Sequence, residues 1–248
     1  MVVKRHKRGK QNKRISLFFL ARCLKFILFS PHPRRYPYAV SIRSAETGEH
    51  LCGASLIARD TVLTAAHCVD KSSGLAQGAD RLLLYVAWYG ASGENNAELE
   101  YDAIYSSDIR VHPSFNANSA EYDLAILVLE QPSRFPPVKL IGPTDILYDS
   151  RVLTVMGWGR TETGEKASSL NHVDLLVVPS DQCNREEQWN AAVKDTMFCA
   201  GGSIFDSCDG DSGGPIIIDG GTSIVDIQVG VVSWGKAVRC GEPGKPGV

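Results

Sequence analysis

Apolar residues recur along the chain in short runs: Tyr38 to Ile42, Ala54 to Ile57, Leu82 to Trp88, Leu124 to Leu129, Val152 to Met156, Leu175 to Val178, Pro215 to Ile218 and Ile227 to Val232. Val, Ile, Leu and Tyr dominate these runs, and clusters of Gly, Pro, Asn and Asp lie between them. Half-buried pleated surfaces favour the first set of side chains, and tight turns favour the second. No long segment repeats its apolar residues at helical spacing. The pattern therefore predicts an all-β chain folded as an antiparallel barrel or sandwich. The stretch Glu130-Gln-Pro-Ser-Arg-Phe-Pro-Pro137 cannot pair as a central strand, because proline has no N–H to donate. It splits the body into nearly equal halves and reads as a linker over residues 131–137.

Composition adds little until it is read by position. At 248 residues and 44% hydrophobic the chain is ordinary for a globular protein, and it is long enough to bury a core without help from metal. The net charge of -2 hides an asymmetry, since seven of the 26 basic residues lie in the first fourteen positions. The remainder holds 19 basic against 28 acidic residues, an acidic body that argues against a nucleic-acid partner. The tail, residues 1–35, runs from this basic opening into an apolar stretch, Ile15 to Phe29, broken by Arg22 and Lys25. It is too short and too charged to span a bilayer, but it begins as a secretory signal does.

Cysteine use points the same way. Cys52, Cys68, Cys183, Cys199, Cys208 and Cys240 form an even set in the body, with Cys23 alone in the tail. Six cysteines can pair in about 15 ways, and none here sits in a Cys-x-x-Cys motif that would suggest zinc or redox chemistry. Structural disulfides and secretion are expected. No Asn-x-Ser/Thr sequon is present.

Chemistry concentrates in three segments. In Gly210-Asp-Ser-Gly-Gly-Pro215 a serine sits among glycines, which let backbone approach a ligand and aim consecutive N–H groups at one point, as an oxyanion site requires. By itself this is as readily a turn. Gly210-x-Ser212-x-Gly214 also matches the nucleophile elbow of α/β-hydrolases, in which the acid and then the histidine follow the serine. All of His6, His32, His50, His67, His112 and His172 precede Ser212, so that reading fails. In Thr64-Ala-Ala-His-Cys68 small residues crowd one imidazole, with His112 and His50 as rivals. In Tyr122-Asp-Leu-Ala-Ile-Leu-Val-Leu129 an acid stands at the mouth of an apolar strand.

Taken in order, the segments around His67, Asp123 and Ser212, with Gly157-Trp-Gly159 and Ser233-Trp-Gly235, resemble the trypsin-like serine proteases over roughly Tyr36 to Val248. The resemblance implies two antiparallel six-stranded β-barrels, residues 36–130 and 138–248, with the site in the cleft between them. Ser212 would attack the scissile carbonyl, His67 would take and return its proton, and Asp123 would hold the imidazole. The N–H groups of Gly210 and Ser212 would bind the oxyanion. Asp206, six residues before Ser212, would lie at the base of a pocket walled by Ser233, Trp234, Gly235 and Gly247, favouring cleavage after Arg or Lys. The implied disulfides are Cys52–Cys68, Cys183–Cys199 and Cys208–Cys240.

It further implies a secreted, monomeric zymogen without cofactor or metal. Its partners would be protein or peptide substrates with Arg or Lys before the cleaved bond, together with protein inhibitors. In the family a cut exposes an Ile-Val-Gly-Gly type terminus whose amine pairs with the acid before the nucleophile, here Asp211. No such motif occurs near Lys25 to Ile27, so Asp211 is expected to be a buried acid lacking that cation. The family's last strand and helix would follow Gly247-Val248, so the second barrel is expected to be truncated. A reading of another class therefore stands beside the enzyme: a non-catalytic homologue that binds another protein.

Overall fold

Alternation along one strand shows how the first sheet closes. The structure is a computed structural model and describes residues 34–71, 81–90, 100–142, 151–161, 164–185, 189–201, 209–235 and 247–248. Strand β6 (Ala125–Leu129) buries Ala125, Leu127 and Leu129 and half-exposes the residues between, the period-two signature of a strand with one face on a core. It lies between β3 (Thr61–Thr64) and β5 (Asp102–Val111). With β1 (Ala39–Arg43), β2 (His50–Ala58) and β4 (Leu83–Val86) these form a closed barrel in the order β1-β2-β3-β6-β5-β4. Every pairing in it is antiparallel.

The second half supplies β7 (Lys139–Leu140), β8 (Val152–Gly157), β9 (Asn171–Val178), β10 (Cys199–Ala200), β11 (Pro215–Ile218) and β12 (Ile227–Val231). They pair as one six-stranded sheet in the order β10-β9-β8-β11-β12-β7. The all-β expectation holds, and the architecture is that of the trypsin fold. Two details differ from a pair of antiparallel barrels. The second sheet does not close among the described residues, and β7 runs parallel to β12. The parallel pair is possible because a long stretch of chain separates the two strands, enough for a crossover that a hairpin cannot make. The eight apolar runs all became strands, whereas β3, β5, β7 and β10 were not anticipated. β5 hid because Asp102, Ser107, Asp108 and Arg110 break its apolar pattern, although its buried Ile104 and Ser106 still alternate inward.

The two halves share one core. The largest buried cluster runs from Tyr38, Leu56, Leu84 and Leu127 of the first barrel into Met156, Trp158, Leu170 and Ile217 of the second half. A second tie is ionic. Arg35 donates from both terminal nitrogens to the fully buried carboxylate of Asp226, at 2.6 and 2.9 Å, and also reaches Asp219 at 2.6 Å. The Tyr38 hydroxyl and the Gly220 N–H complete the shell of Asp226 at 2.6 and 2.9 Å. Tyr36 adds a third tie, its hydroxyl lying 2.6 Å from His172 Nδ1.

Candidate active site

Small residues set the position of the histidine. The end of β3 leads through Ala65 into a single 3₁₀ turn, Ala66–Cys68, with Ala65, Ala66 and Cys68 buried and His67 facing partly outward. The Cys52–Cys68 disulfide fixes this turn to β2. The first residue group before β6 then presents Asp123 to it. His67 Nδ1 lies 2.6 Å from Asp123 Oδ2, and the His67 backbone N–H donates to Oδ1 at 2.8 Å. Ser233 Oγ donates to Oδ2 at 2.5 Å. Asp123 is 7% exposed. Burial works against its charge, but the hydrogen bonds and the charge of His67, with Ser233, hold its pKa below the ordinary value.

The turn that carries Ser212 is held by backbone. The Gly53 N–H of β2 donates to the Ser212 carbonyl at 2.8 Å, the Gly213 N–H to Val232 at 2.8 Å, and the Gly214 N–H to Asp211 at 2.9 Å. Gly213 has φ +80°, and a Cβ there would collide with Thr64 Oγ1 and the Gly53 carbonyl. Both reasons require glycine. The turn therefore rests directly on the strands that carry His67. One expectation changes here. Asp211 is partly exposed rather than buried, and its carboxylate accepts the Gly159 N–H at 2.9 Å. Gly157 and Gly159 leave the space that carboxylate occupies, since a Cβ on either would strike it.

The rival histidines have other partners. His50 accepts at Nδ1 from Ser41 Oγ (2.8 Å) and donates from Nε2 to the Gly210 carbonyl (2.8 Å), so it is the Nε2–H tautomer that fits both contacts. Burial pushes its pKa down to about 4. No local pattern in the sequence marks this support under Gly210. His112 stacks on Tyr122, 4.9 Å and 6° apart, just before Asp123. Tyr122 has φ +55°, an uncommon conformation for an aromatic residue.

Of the pocket residues, Ser233 and Trp234 donate backbone N–H groups to Val248 at 3.0 and 3.1 Å. Trp234 meets Trp189 edge-on at 4.8 Å. Gly235 and Gly247 face one another, with a Cβ on Gly235 lying 3.9 Å from Gly247 Cα. Asp206 lies outside the described residues. The Cys183–Cys199 disulfide is formed, while Cys208 and Cys240 also lie outside. The second role of Ser233, as a donor to Asp123, was missed because its spacing to Trp234 suggested only a pocket wall.

A buried carboxylate gripping an imidazole, with a glycine-bounded serine turn packed on the strands that lead to that imidazole, is an arrangement suited to acyl transfer. Comparison with known proteins places it. Residues 29–248 match the family model described as Trypsin. Glucanase inhibitor protein 4 of Phytophthora infestans is 37% identical over 212 residues, covering 83% of this chain and 77% of that protein. Glucanase inhibitor protein 3 of the same organism is 36% identical over 215 residues, covering 84% and 77%. By sequence order, fold and family match, this chain belongs to the trypsin family.

Proposed function

We propose that the chain is a secreted serine endopeptidase that cleaves after Arg or Lys. The observation that carries this reading is the clamp on Asp123, whose two oxygens take the ring and the main-chain N–H of His67. With Nδ1–H committed to Asp123, Nε2 is left as the basic nitrogen. Ser212 Oγ then adds to the substrate carbonyl carbon while its proton passes to His67 Nε2. The oxyanion is met by the N–H groups of Gly210 and Ser212. Collapse expels the amine, which takes the proton from His67, and water hydrolyses the acyl-enzyme by the reverse sequence. Asp206 would supply the negative charge that selects a basic side chain. The cysteine set, two pairs of which are bonded, supports an oxidising, extracellular setting.

A second reading is favoured by a different observation. The two relatives compared above are named as inhibitors of glucanases, and they align across most of this chain. On that reading the same cleft and rim bind a carbohydrate-cleaving enzyme and block it, and His67, Asp123 and Ser212 are retained without turnover. The comparisons weigh toward the binder, the site geometry toward the enzyme. Titration with a serine-directed phosphonate, followed by hydrolysis of Arg, Lys and Glu esters, separates them. Stoichiometric labelling at Ser212 with turnover of the Arg and Lys esters supports the protease, and Ser212→Ala should lower that turnover about a million-fold. An unlabelled, folded chain that slows a β-glucanase would transfer the conclusion to the binder.

A further inference from the structure

The outer face of β1 and β4 carries a cation, Arg43, that no carboxylate among the described residues neutralises. Arg43 is half-buried, and its guanidinium lies over two aromatic rings, 4.4 Å from the Trp88 centroid and 4.9 Å from that of Tyr85. Its Nε donates to the Gly48 carbonyl at 2.6 Å and its Nη1 to Ser41 Oγ at 3.4 Å. Among the described residues no carboxylate comes within ion-pairing distance of it. Arg35, Arg81, Arg110, Arg134 and Arg160 each have one. Burial pushes the Arg43 pKa down, with only the tyrosines Tyr85 and Tyr101 opposing that shift.

The surroundings are apolar but polarisable. Tyr85 packs against Tyr101 at 4.8 Å, and Tyr101 is 40% exposed although it is large and aromatic. Trp88 is half-buried and stacks at 5.7 Å on Trp158, which in turn lies 5.4 Å from His50. The two rings, 70° to one another, flank the guanidinium, and its Nη2 makes no hydrogen bond among the described residues and stays available in the guanidinium plane. A carboxylate approaching along that plane finds a preorganised donor and recovers the ion pair that burial otherwise withholds. Arg, Trp and Tyr in one cluster are also the residue types that dominate binding energy at protein–protein interfaces.

We propose that the face formed by Arg43, Tyr85, Trp88 and Tyr101 is a docking surface for a partner protein that presents an Asp or Glu side chain beside an apolar one. It is separate from the cleft and does not depend on whether the chain is an enzyme or a binder. The test uses the full chain carrying Ser212→Ala, so that no probe can be cut. Fluorescence anisotropy follows a labelled peptide of alternating Glu and Phe, and its counterpart in which Lys replaces Glu. The Glu peptide should bind saturably and at least about tenfold more tightly than the Lys peptide. Arg43→Gln should weaken the Glu peptide about tenfold and Tyr101→Ser about threefold. Equal binding of the two peptides, binding of neither, or indifference to these changes overturns the proposal. Tyr101 is exposed, so Tyr101→Ser decides the matter even if Arg43→Gln fails to fold.

Discussion

Asp123 and Asp226 are the two buried acids among the described residues; both tie the halves of the molecule together, and they differ in what answers their charge. Asp226 meets a permanent cation, Arg35, through two hydrogen bonds, and its remaining capacity is taken by Tyr38 and Gly220. Asp123 meets an imidazole whose side chain is 25% exposed, and it gains its other bonds from the His67 main chain and Ser233. Both carboxylates are fully engaged, but the first is answered by a guanidinium and the second by an imidazole. The same device of a desolvated acid ringed by hydrogen-bond donors, three residues around Asp226 and two around Asp123, serves as a fastener in one place and grips an imidazole in the other.

Breaking the reactive member should have the largest effect. In Asp123→Asn, turnover of an Arg ester is expected to fall about ten-thousand-fold, because the amide no longer holds the required tautomer. Steady-state kinetics check this, and a loss below about tenfold would mean that His67 is oriented by something else. Breaking the fastener comes next. Asp226→Ala leaves the Arg35 guanidinium and the Tyr38 hydroxyl without their shared partner. Urea unfolding should show a loss of about 3–5 kcal/mol, with ester turnover per folded molecule retained.

Acid should then act on a third, half-buried group. The pKa of His50 is about 4 in the folded chain and 6.5 in the unfolded one. The unfolded state therefore binds the extra proton between these values, and stability falls as pH drops from 6.5 toward 4, by up to about 3 kcal/mol. Asp123 continues the trend, since its depressed pKa gives stability that is present above 3.8 and lost at lower pH. Unfolding at graded pH checks the slope, and His50→Asn should flatten it. The smallest effect belongs to Ser233→Ala, which removes one hydrogen bond to a charged oxygen and should cost about 1.5–3 kcal/mol. If it costs nothing, the Asp123 shell is less interdependent than its geometry implies.

Much of this was legible in the sequence, for identifiable reasons. β1, β2, β6, β8 and β11 announce themselves because one or both of their faces are buried, so their apolar residues cluster. β7 and β10 are two residues each and owe their strand character to neighbours rather than to their own pattern. His67, Asp123 and Ser212 stand out because each sits in a short segment of unusual composition. The Arg35–Asp226 pair was invisible, since a common arginine and a common aspartate 191 positions apart carry no local signal. His50 was visible only as a weak rival, because what distinguishes it is the carbonyl it meets.

That separation of 191 positions also orders events in time. The last strand of the first barrel ends at Leu129, and its pairings lie wholly within residues 39–129. During synthesis that barrel can assemble while Asp226 is still about 5–20 s from being added, at roughly 5–20 residues per second. In that interval Arg35 has no carboxylate to close upon, and the faces of Tyr36 and Tyr38 that later meet the second half stay open to solvent. The nascent chain thus passes through a stage with a finished barrel and an unfinished seam. It is there that a folding assistant, or a mistaken partner, would find it.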